Sequence, residues 1–467
     1  MNQQVTRSLA CLAIPVVILM FPPPDGLSLG AWRLFAVYLA AIAGIILRPF
    51  PEPVVLLAAM AAVAIFFKQI SVALVGFSNA TAWLVFMAFL VSQCFIDTGL
   101  GRRIAFLLIR FIGRTSLGLG YAIAGTDSIL SMAIPSNTAR TGGIVFPIFH
   151  NVARTLDSNP GETARKIGAY LMVLLYQISL VSSCMFLTGN VNNPLLASFA
   201  KNVMNVEITW VQWAMAMFPP GILVVLLTPW LVFKLCPATI GTIDNIVLGE
   251  KGLKELGPMS VKEKRLCAIF VLAVIGWATG TLTGIYPTGI AIGFLVLCVL
   301  SGVITWDNLA GVKMAWSTFI WYAGILSLAT GLERAKFFEW LSKKVTASVN
   351  LGGVEPMVVL VGILVVSVAV RYFFASGAAF VSTLVPVFMM VGMAAKVPSL
   401  VLTYMLAATT LLGCLTTHYG NAAAPLIYGM GYVDQKTWWK VGHVVIFAGL
   451  ATFLIVGLPL WKLMGLW

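Results

Sequence analysis

Four clusters of small polar residues interrupt apolar sequence, and their chemistry suits an anion. They are residues 135–138, 188–194, 376–378 and 416–421. Ser and Asn cap helix N-termini, where free backbone N–H groups and the positive end of the helix dipole favour a carboxylate. Two clusters that face each other would hold the two ends of a dicarboxylate.

We expect side chains and backbone groups of these clusters to bind the substrate. The expected set is Ser136, Asn137, Thr138, Thr188, Asn190, Ser376, Gly377, Ala378, Thr417 and His418. His418 would donate to a carboxylate or carry a proton, or else be a satisfied core histidine. The alternative for the whole set is that small polar residues only allow close packing of membrane helices.

Two arginines lie inside apolar sequence beside the clusters. Arg140 follows Ser136 by one helical turn, and Arg371 precedes Ser376 by five residues. Ionisable groups at membrane depth are costly and mark functional sites, so we expect Arg140 to bind a substrate carboxylate. The alternatives are an Arg140 pair with Asp127 and, for Arg371, snorkelling or a pair with Glu355.

The composition indicates what must position these residues. Of 467 residues, 60% are apolar and only 10% are charged, far below the roughly 25% charged residues of soluble domains. The apolar runs continue for about twenty residues, the length of a membrane-spanning helix rather than a β-barrel strand. The sequence therefore predicts an all-α polytopic membrane protein. The net charge of +13 is spread over the chain without a basic groove, so nucleic acid is not an expected partner.

About eleven membrane spans are predicted, together with two re-entrant hairpins at 115–150 and 354–392. With the N-terminus in the cytoplasm, eighteen Lys and Arg residues lie inside and nine outside, and the two hairpin arginines complete the twenty-nine. This bias follows the positive-inside rule. We therefore expect a multi-pass protein of a bacterial inner membrane with a cytoplasmic N-terminus.

The chain also resembles itself at an offset of about 230–240 residues. The segment from Ala82 matches that from Ala315, the segment from Ser136 matches that from Ser376, and NNPLL from Asn192 matches AAPLI from Ala423. The predicted units are a first helix (1–29), repeat one (30–236), a cytoplasmic linker (237–265) and repeat two (266–467). Inverted repeats with broken helices are typical of secondary transporters, whose sites lie at the repeat interface.

The sequence resembles the divalent anion–sodium symporter family, and in particular its antiporter branch of citrate/succinate antiporters and 2-oxoglutarate/malate translocators. The resemblance rests on SNT at 136–138, FFASGAAFVSTLVP at 373–386, NPLL at 193–196 and THYGNAAAPLIYGMGY at 417–432. It implies eleven transmembrane helices, two hairpins, a homodimer and an elevator mechanism. Sodium-coupled members carry Ser-Asn-Thr at both tips, but the second tip here reads Ser376-Gly377-Ala378. The resemblance thus implies at most a weak sodium site at Ser136, Asn137 and Gly189, and fixed charge from Arg140 would replace the ion.

The expected function is exchange of di- or tricarboxylates of the succinate, malate, 2-oxoglutarate, tartrate or citrate class. The alternative is a sodium-coupled dicarboxylate symporter on the same fold, with sodium as its coupling ion. No cofactor is expected otherwise. An enzyme is disfavoured because the sequence has no H-E-x-x-H motif and few intramembrane acids. A channel could use the same hairpins, but it would conduct without saturation or counterflow.

Overall fold

The structure is a computed structural model that describes residues 3–348 and 354–467. Within these residues it is built of helices, with one isolated antiparallel bridge between Thr115 and Thr242. The predicted all-α membrane fold is confirmed. Residues 1–2 of the predicted first helix and residues 349–353 of the predicted second repeat lie outside the described residues.

The first part of the chain forms eleven α-helices, and the third of them, α3, follows a short proline-rich turn. The helices are α1 (Gln3–Leu19), α2 (Leu29–Leu47), α3 (Glu52–Phe66), α4 (Ile70–Leu74), α5 (Ala80–Thr98), α6 (Leu100–Ile112), α7 (Ser116–Ser131), α8 (Phe146–Thr155), α9 (Gly168–Ser183), α10 (Asn192–Met204) and α11 (Trp210–Leu235). A π-helix over Thr138–Val145 leads into α8. Such π-helical segments are rare and frequent at functional sites.

The second part repeats this order after a linker helix. Its helices are α12 (Asn245–Leu256), α13 (Val261–Thr283), α14 (Pro287–Leu300), α15 (Trp306–Ala310), α16 (Lys313–Arg334), α17 (Phe337–Ser348), α18 (Pro356–Arg371), α19 (Gly377–Ala394), α20 (Ser399–Leu412), α21 (Ala423–Tyr428), α22 (Gln435–Thr452) and α23 (Leu458–Leu463). The amphipathic helix α12 packs on α6, although the polar linker carried no helix prediction. Arg103 of α6 and Glu263 of α13 form a buried ion pair at 2.6 Å beside this contact.

Seven helices among the described residues are long and apolar enough to cross a membrane. They are Leu29–Leu47, Ala80–Thr98, Trp210–Leu235, Val261–Thr283, Lys313–Arg334, Gly377–Ala394 and Gln435–Leu463. Six shorter apolar helices accompany them. An interrupted span, such as α9 followed by α10, appears as two short helices. The number of long helices is therefore not the number of membrane spans. The number eleven stays a prediction.

The core lies around α9, in which every residue is buried. Helix α20 is nearly as buried, whereas α1 has no buried residue and presents Leu12 and Val16 outward. A helix that is apolar all round belongs in the interior of the protein or in lipid. Helices α9 and α20 are therefore the central helices of the core, and the hairpins pack against them.

Two helical hairpins, each made of two helical arms joined at a tip, enter this core. Hairpin one consists of α7, the π-helix and α8, and hairpin two consists of α18 and α19. A second set of helices packs beside them: α2, α3 and α16 contact one another, and α5 contacts α14 and α16. We call α2, α3, α5, α14 and α16 the scaffold helices. The hairpin tips meet the end of α2 at the boundary between the two sets.

Candidate substrate site

Both hairpin tips line one cavity of about 210 Å³. The breaks after α9 and α20 and the turn between α2 and α3 complete its wall. Its lining residues are Arg48, Glu52, Phe89, Pro135, Ser136, Asn137, Thr138, Asn190, Val191, Asn192, Ala375, Ser376, Gly377, Ala378, Asn421 and Ala422. The four sequence clusters therefore contribute to a common site: every residue of 135–138 and 376–378 lines it, whereas 188–194 and 416–421 do so only in part.

The two tips have the same capping geometry. The Ser136 hydroxyl accepts a hydrogen bond from Ala139 N at 3.2 Å, and the Ser376 hydroxyl accepts one from Ala379 N at 3.3 Å. Ser376 is the N-cap of α19, and Ser136 makes the equivalent bond from the position before Asn137, the N-cap of the π-helix. Each tip presents the N-terminal end of a helix to the cavity, which provides a favourable field for an anion.

Asn137 ties hairpin one to α9 and to the break that follows it. Its Nδ2 donates to the Ser179 backbone oxygen at 2.8 Å. Its Oδ1 accepts from Asn190 Nδ2 at 2.5 Å and from the Ser183 hydroxyl at 3.4 Å. Because these bonds use much of the hydrogen-bonding capacity of its side-chain amide, Asn137 holds the cavity wall in place as well as lining it.

The tip of hairpin two lies against the break of repeat one. A Cβ atom on Gly377 would collide with the Asn192 amide, so a larger residue here would force that amide to move. Asn192 is 7% exposed, lines the cavity, and its Oδ1 has no hydrogen-bond partner among the described residues. A buried unpaired carbonyl oxygen is costly, which makes Asn192 Oδ1 a candidate acceptor for a substrate hydroxyl.

Arg140 is fully buried, and all five of its N–H groups have acceptors within the protein. The acceptors are the backbone oxygens of Ile134 (2.6 Å), Gly189 (3.1 Å) and Ser179 (2.8 Å), the hydroxyl of Ser183 (2.8 Å) and Asp127 Oδ1 (3.1 Å). The ion pair with Asp127, the alternative raised by the sequence, is therefore present. Arg140 lies behind the tip and does not line the cavity.

Arg371 occupies the equivalent place in repeat two, although it comes from the other arm of its hairpin. Its acceptors are the Phe374 backbone oxygen, Gly420 O (2.7 Å), Thr410 O (3.4 Å) and Cys414 Sγ (2.9 Å). The guanidinium also lies over the Phe380 ring, 5.4 Å from its centroid. Phe380 is four residues beyond Ser376, as Arg140 is beyond Ser136.

The two guanidinium groups therefore occupy matching pockets of hydrogen-bond acceptors. Phe374, Thr410, Cys414 and Gly420 correspond in the repeat to Ile134, Ser179, Ser183 and Gly189. Repeat two offers no counterpart of Asp127, and Arg371 has no carboxylate partner among the described residues. The pair with Glu355, one of the alternatives raised by the sequence, is absent because Glu355 instead caps α18 by accepting from Val358 N at 3.2 Å.

Three further predicted residues lie away from the cavity. Thr188 donates to the Met132 backbone oxygen at 2.6 Å, which fixes the break against hairpin one. His418 stacks on Tyr428 at 4.7 Å, as a core histidine would. Thr417 lines a different cavity, of about 550 Å³ with mostly apolar walls, between α18 and α22.

The cavity also contains residues that the sequence patterns did not single out. These are Arg48 and Glu52, which come from the scaffold helices. Arg48 was interpreted only as one of the cytoplasmic bases. The clustering of prolines at 49, 51 and 53 was the one signal that a rigid turn stood there.

Two helical hairpins and two broken helices thus surround a polar cavity, an arrangement typical of membrane transporters. Comparison with known proteins agrees. The family model described as "Sodium:sulfate symporter transmembrane region" matches residues 2–467. The chain belongs to this family, the divalent anion–sodium symporters, and is a multi-pass membrane transporter rather than an enzyme.

Two curated relatives and one solved structure illustrate the similarity. The chain is 41% identical to the inner membrane protein YbhI of Escherichia coli strain K12, over 98% of this chain and 97% of that protein. It is 35% identical to an L-tartrate/succinate antiporter of Escherichia coli strain UTI89, over 98% of each chain. The structure of the YdaH transporter of Alcanivorax borkumensis has a similar fold, with a TM-score of 0.56 at 13% identity over 99% and 98% of the two chains.

Proposed function

We propose that the protein exchanges di- or tricarboxylates across a bacterial inner membrane. The observation that carries this proposal is the polar cavity to which both hairpin tips present helix N-termini. A relative of 35% identity is an L-tartrate/succinate antiporter, which supports carboxylates as the substrate class.

The residues fit sodium poorly, which favours exchange over sodium symport. Ser136, Asn137 and Gly189 were the candidate ligands. The Gly189 oxygen accepts from Arg140 Nη1 at 3.1 Å, and Asn137 Oδ1 accepts from Asn190. A sodium ion would need these oxygens free, and a guanidinium beside it would repel it. Asp127 balances the charge of Arg140, but no carboxylate among the described residues balances Arg371, and this fixed charge would take the place of a cation that accompanies the substrate.

A dicarboxylate would lie with one carboxylate at each tip. The tip helices supply N-terminal dipoles, and Thr138 adds a hydroxyl at the wall. The free Asn192 oxygen accepts hydrogen bonds but donates none, so it favours a substrate with a hydroxyl group, as in malate or tartrate. A carboxylate placed against that oxygen would be repelled.

Alternating access would follow from movement of the hairpins against the scaffold helices. We propose an elevator displacement within a homodimer whose N-terminus is cytoplasmic. The proposed movement is consistent with the boundary between the hairpins and the scaffold helices, which crosses the cavity. Across this boundary the Tyr38 hydroxyl of α2 donates to the Ser382 oxygen of α19 at 2.5 Å. That bond would break when hairpin two moves.

Counterflow tests the proposed substrate class. Purified protein is reconstituted in vesicles loaded with unlabelled succinate, and entry of labelled succinate is measured against added malate, tartrate, citrate and sulfate. Saturable entry that carboxylates inhibit and that requires internal substrate is expected. Entry that does not saturate would indicate a channel, and inhibition by sulfate alone would contradict carboxylate exchange.

A further inference from the structure

Arg48 is the cation that a bound anion can reach. Among the described residues that line the cavity it is the only cationic side chain, and it is 55% exposed. Its Nη2 lies 3.4 Å from Glu52 Oε1, a long single contact that leaves its other N–H groups available. Arg140 and Arg371, in contrast, are buried and bonded within the protein.

The backbone holds Arg48 in a fixed place. It ends α2 in the left-handed conformation (φ 48°, ψ 55°), and its N–H donates to the Gly44 oxygen at 2.9 Å. Pro49 and Pro51 stiffen the turn that follows. Helices α2 and α3 pack closely here, since a Cβ on Gly44 would lie 2.5 Å from Val55 Cγ1.

This turn belongs to the scaffold helices, whereas Ser136 and Ser376 belong to the hairpins. The guanidinium and the tips thus share the cavity only in the conformation described. If the hairpins move against the scaffold, the tips carry the anion away and Arg48 stays behind. An interaction made in one state only gives a ligand different affinities for the two states and shifts their populations.

We propose that Arg48 is a specificity-determining residue that binds a carboxylate of the substrate on one face of the membrane only. Glu52 competes with the substrate for the guanidinium and holds it while the cavity is empty. The inference rests on the proposed function. It predicts tighter half-saturation on the face where Arg48 lies, which the positive-inside pattern assigns to the cytoplasm.

The test compares the two faces in the native orientation. Intact cells that express the full chain report the half-saturating succinate concentration outside, and inverted membrane vesicles from the same cells report it inside. Arg48→Gln should raise the value about tenfold in inverted vesicles, the loss of one charge-assisted hydrogen bond, and leave the value in cells within about twofold. Glu52→Gln should lower the value in inverted vesicles.

The matched control is Arg110→Gln. Arg110 is similarly exposed (44%) and pairs with Glu250 at 3.5 Å, but it lies on α6, away from the cavity. It should leave both half-saturating values unchanged. Equal shifts on both faces with Arg48→Gln, or no shift on either, would overturn the inference alone. A wild-type chain that carries no carboxylate in either preparation would overturn the proposed function, and this inference with it.

Discussion

Replacement of Arg140 by glutamine tests whether the guanidinium holds hairpin one in place. Arg140→Gln would leave Asp127 buried at 2% side-chain exposure without its cation. It would also leave three backbone oxygens short of a donor. Breaking a buried ion pair by removing one partner costs about 3–5 kcal/mol. At about 1.4 kcal/mol per tenfold change, the equilibrium constant for forming the correct tip would fall by roughly two to four powers of ten.

The second change separates charge from contact. Asp127→Asn combined with Arg140→Gln removes both charges, so the double variant should be more stable than Arg140→Gln alone. Asp127 also accepts from the Ser182 hydroxyl, a bond that asparagine can keep through its side-chain oxygen. Transport should stay impaired in the double variant because the Ile134 and Gly189 oxygens still lack the Arg140 donor.

The assay is thermal unfolding of detergent-purified protein, followed by tryptophan fluorescence, with succinate counterflow measured on the same preparations. Arg48→Gln serves as the exposed control and should melt like the wild type. The reasoning is refuted if Arg140→Gln melts like the wild type, or if the double variant is no more stable than the single one.

Four further variants test separate contacts. Asn137→Ala should abolish counterflow because the tip loses its bonds to α9 and the break after it, while the protein still elutes as a monodisperse species. Normal counterflow would contradict this. Asn192→Ala should reduce the preference for malate over succinate about five- to tenfold, the value of one hydrogen bond, as measured by inhibition constants; an unchanged ratio would remove Asn192 from substrate recognition. Gly377→Ala should weaken succinate binding, measured by thermal shift, since its methyl group meets the Asn192 amide. Hydrogen bonds from Thr437 lower the pKa of Asp434, so the carboxylate stabilises the fold above its unfolded pKa and loses this effect as pH falls through the lower folded value; Asp434→Asn should melt below the wild type at pH 7 and converge with it on acidification.

The sequence predicted the parts of the fold that depend on local chemistry. Long apolar runs indicated membrane helices, and Ser136 and Ser376 were expected to cap helices at matching points of two repeats. Most of the tip residues expected at the substrate site do line the cavity. The helix and capping predictions were confirmed because hydropathy and capping are properties of short segments, whereas substrate binding by the tip residues stays a prediction.

The direction in which a side chain points could not be predicted in the same way. Arg140 was expected to face the substrate, but the acceptors that enclose it come from α7, α9 and the break after α9, which only the tertiary fold brings together. Thr188 and His418 likewise satisfy internal partners. Arg48 was missed for the opposite reason, since a base at a helix end looks like an ordinary topological charge until the tips are placed beside it.

Sodium dependence in vesicles tests the central claim of carboxylate exchange most directly. Vesicles containing the purified protein are prepared either empty or loaded with succinate, in sodium-free buffer and with an inward sodium gradient. The account predicts uptake of labelled succinate only into loaded vesicles, at the same rate with and without sodium. Uptake into empty vesicles driven by the sodium gradient would contradict it and establish a symporter.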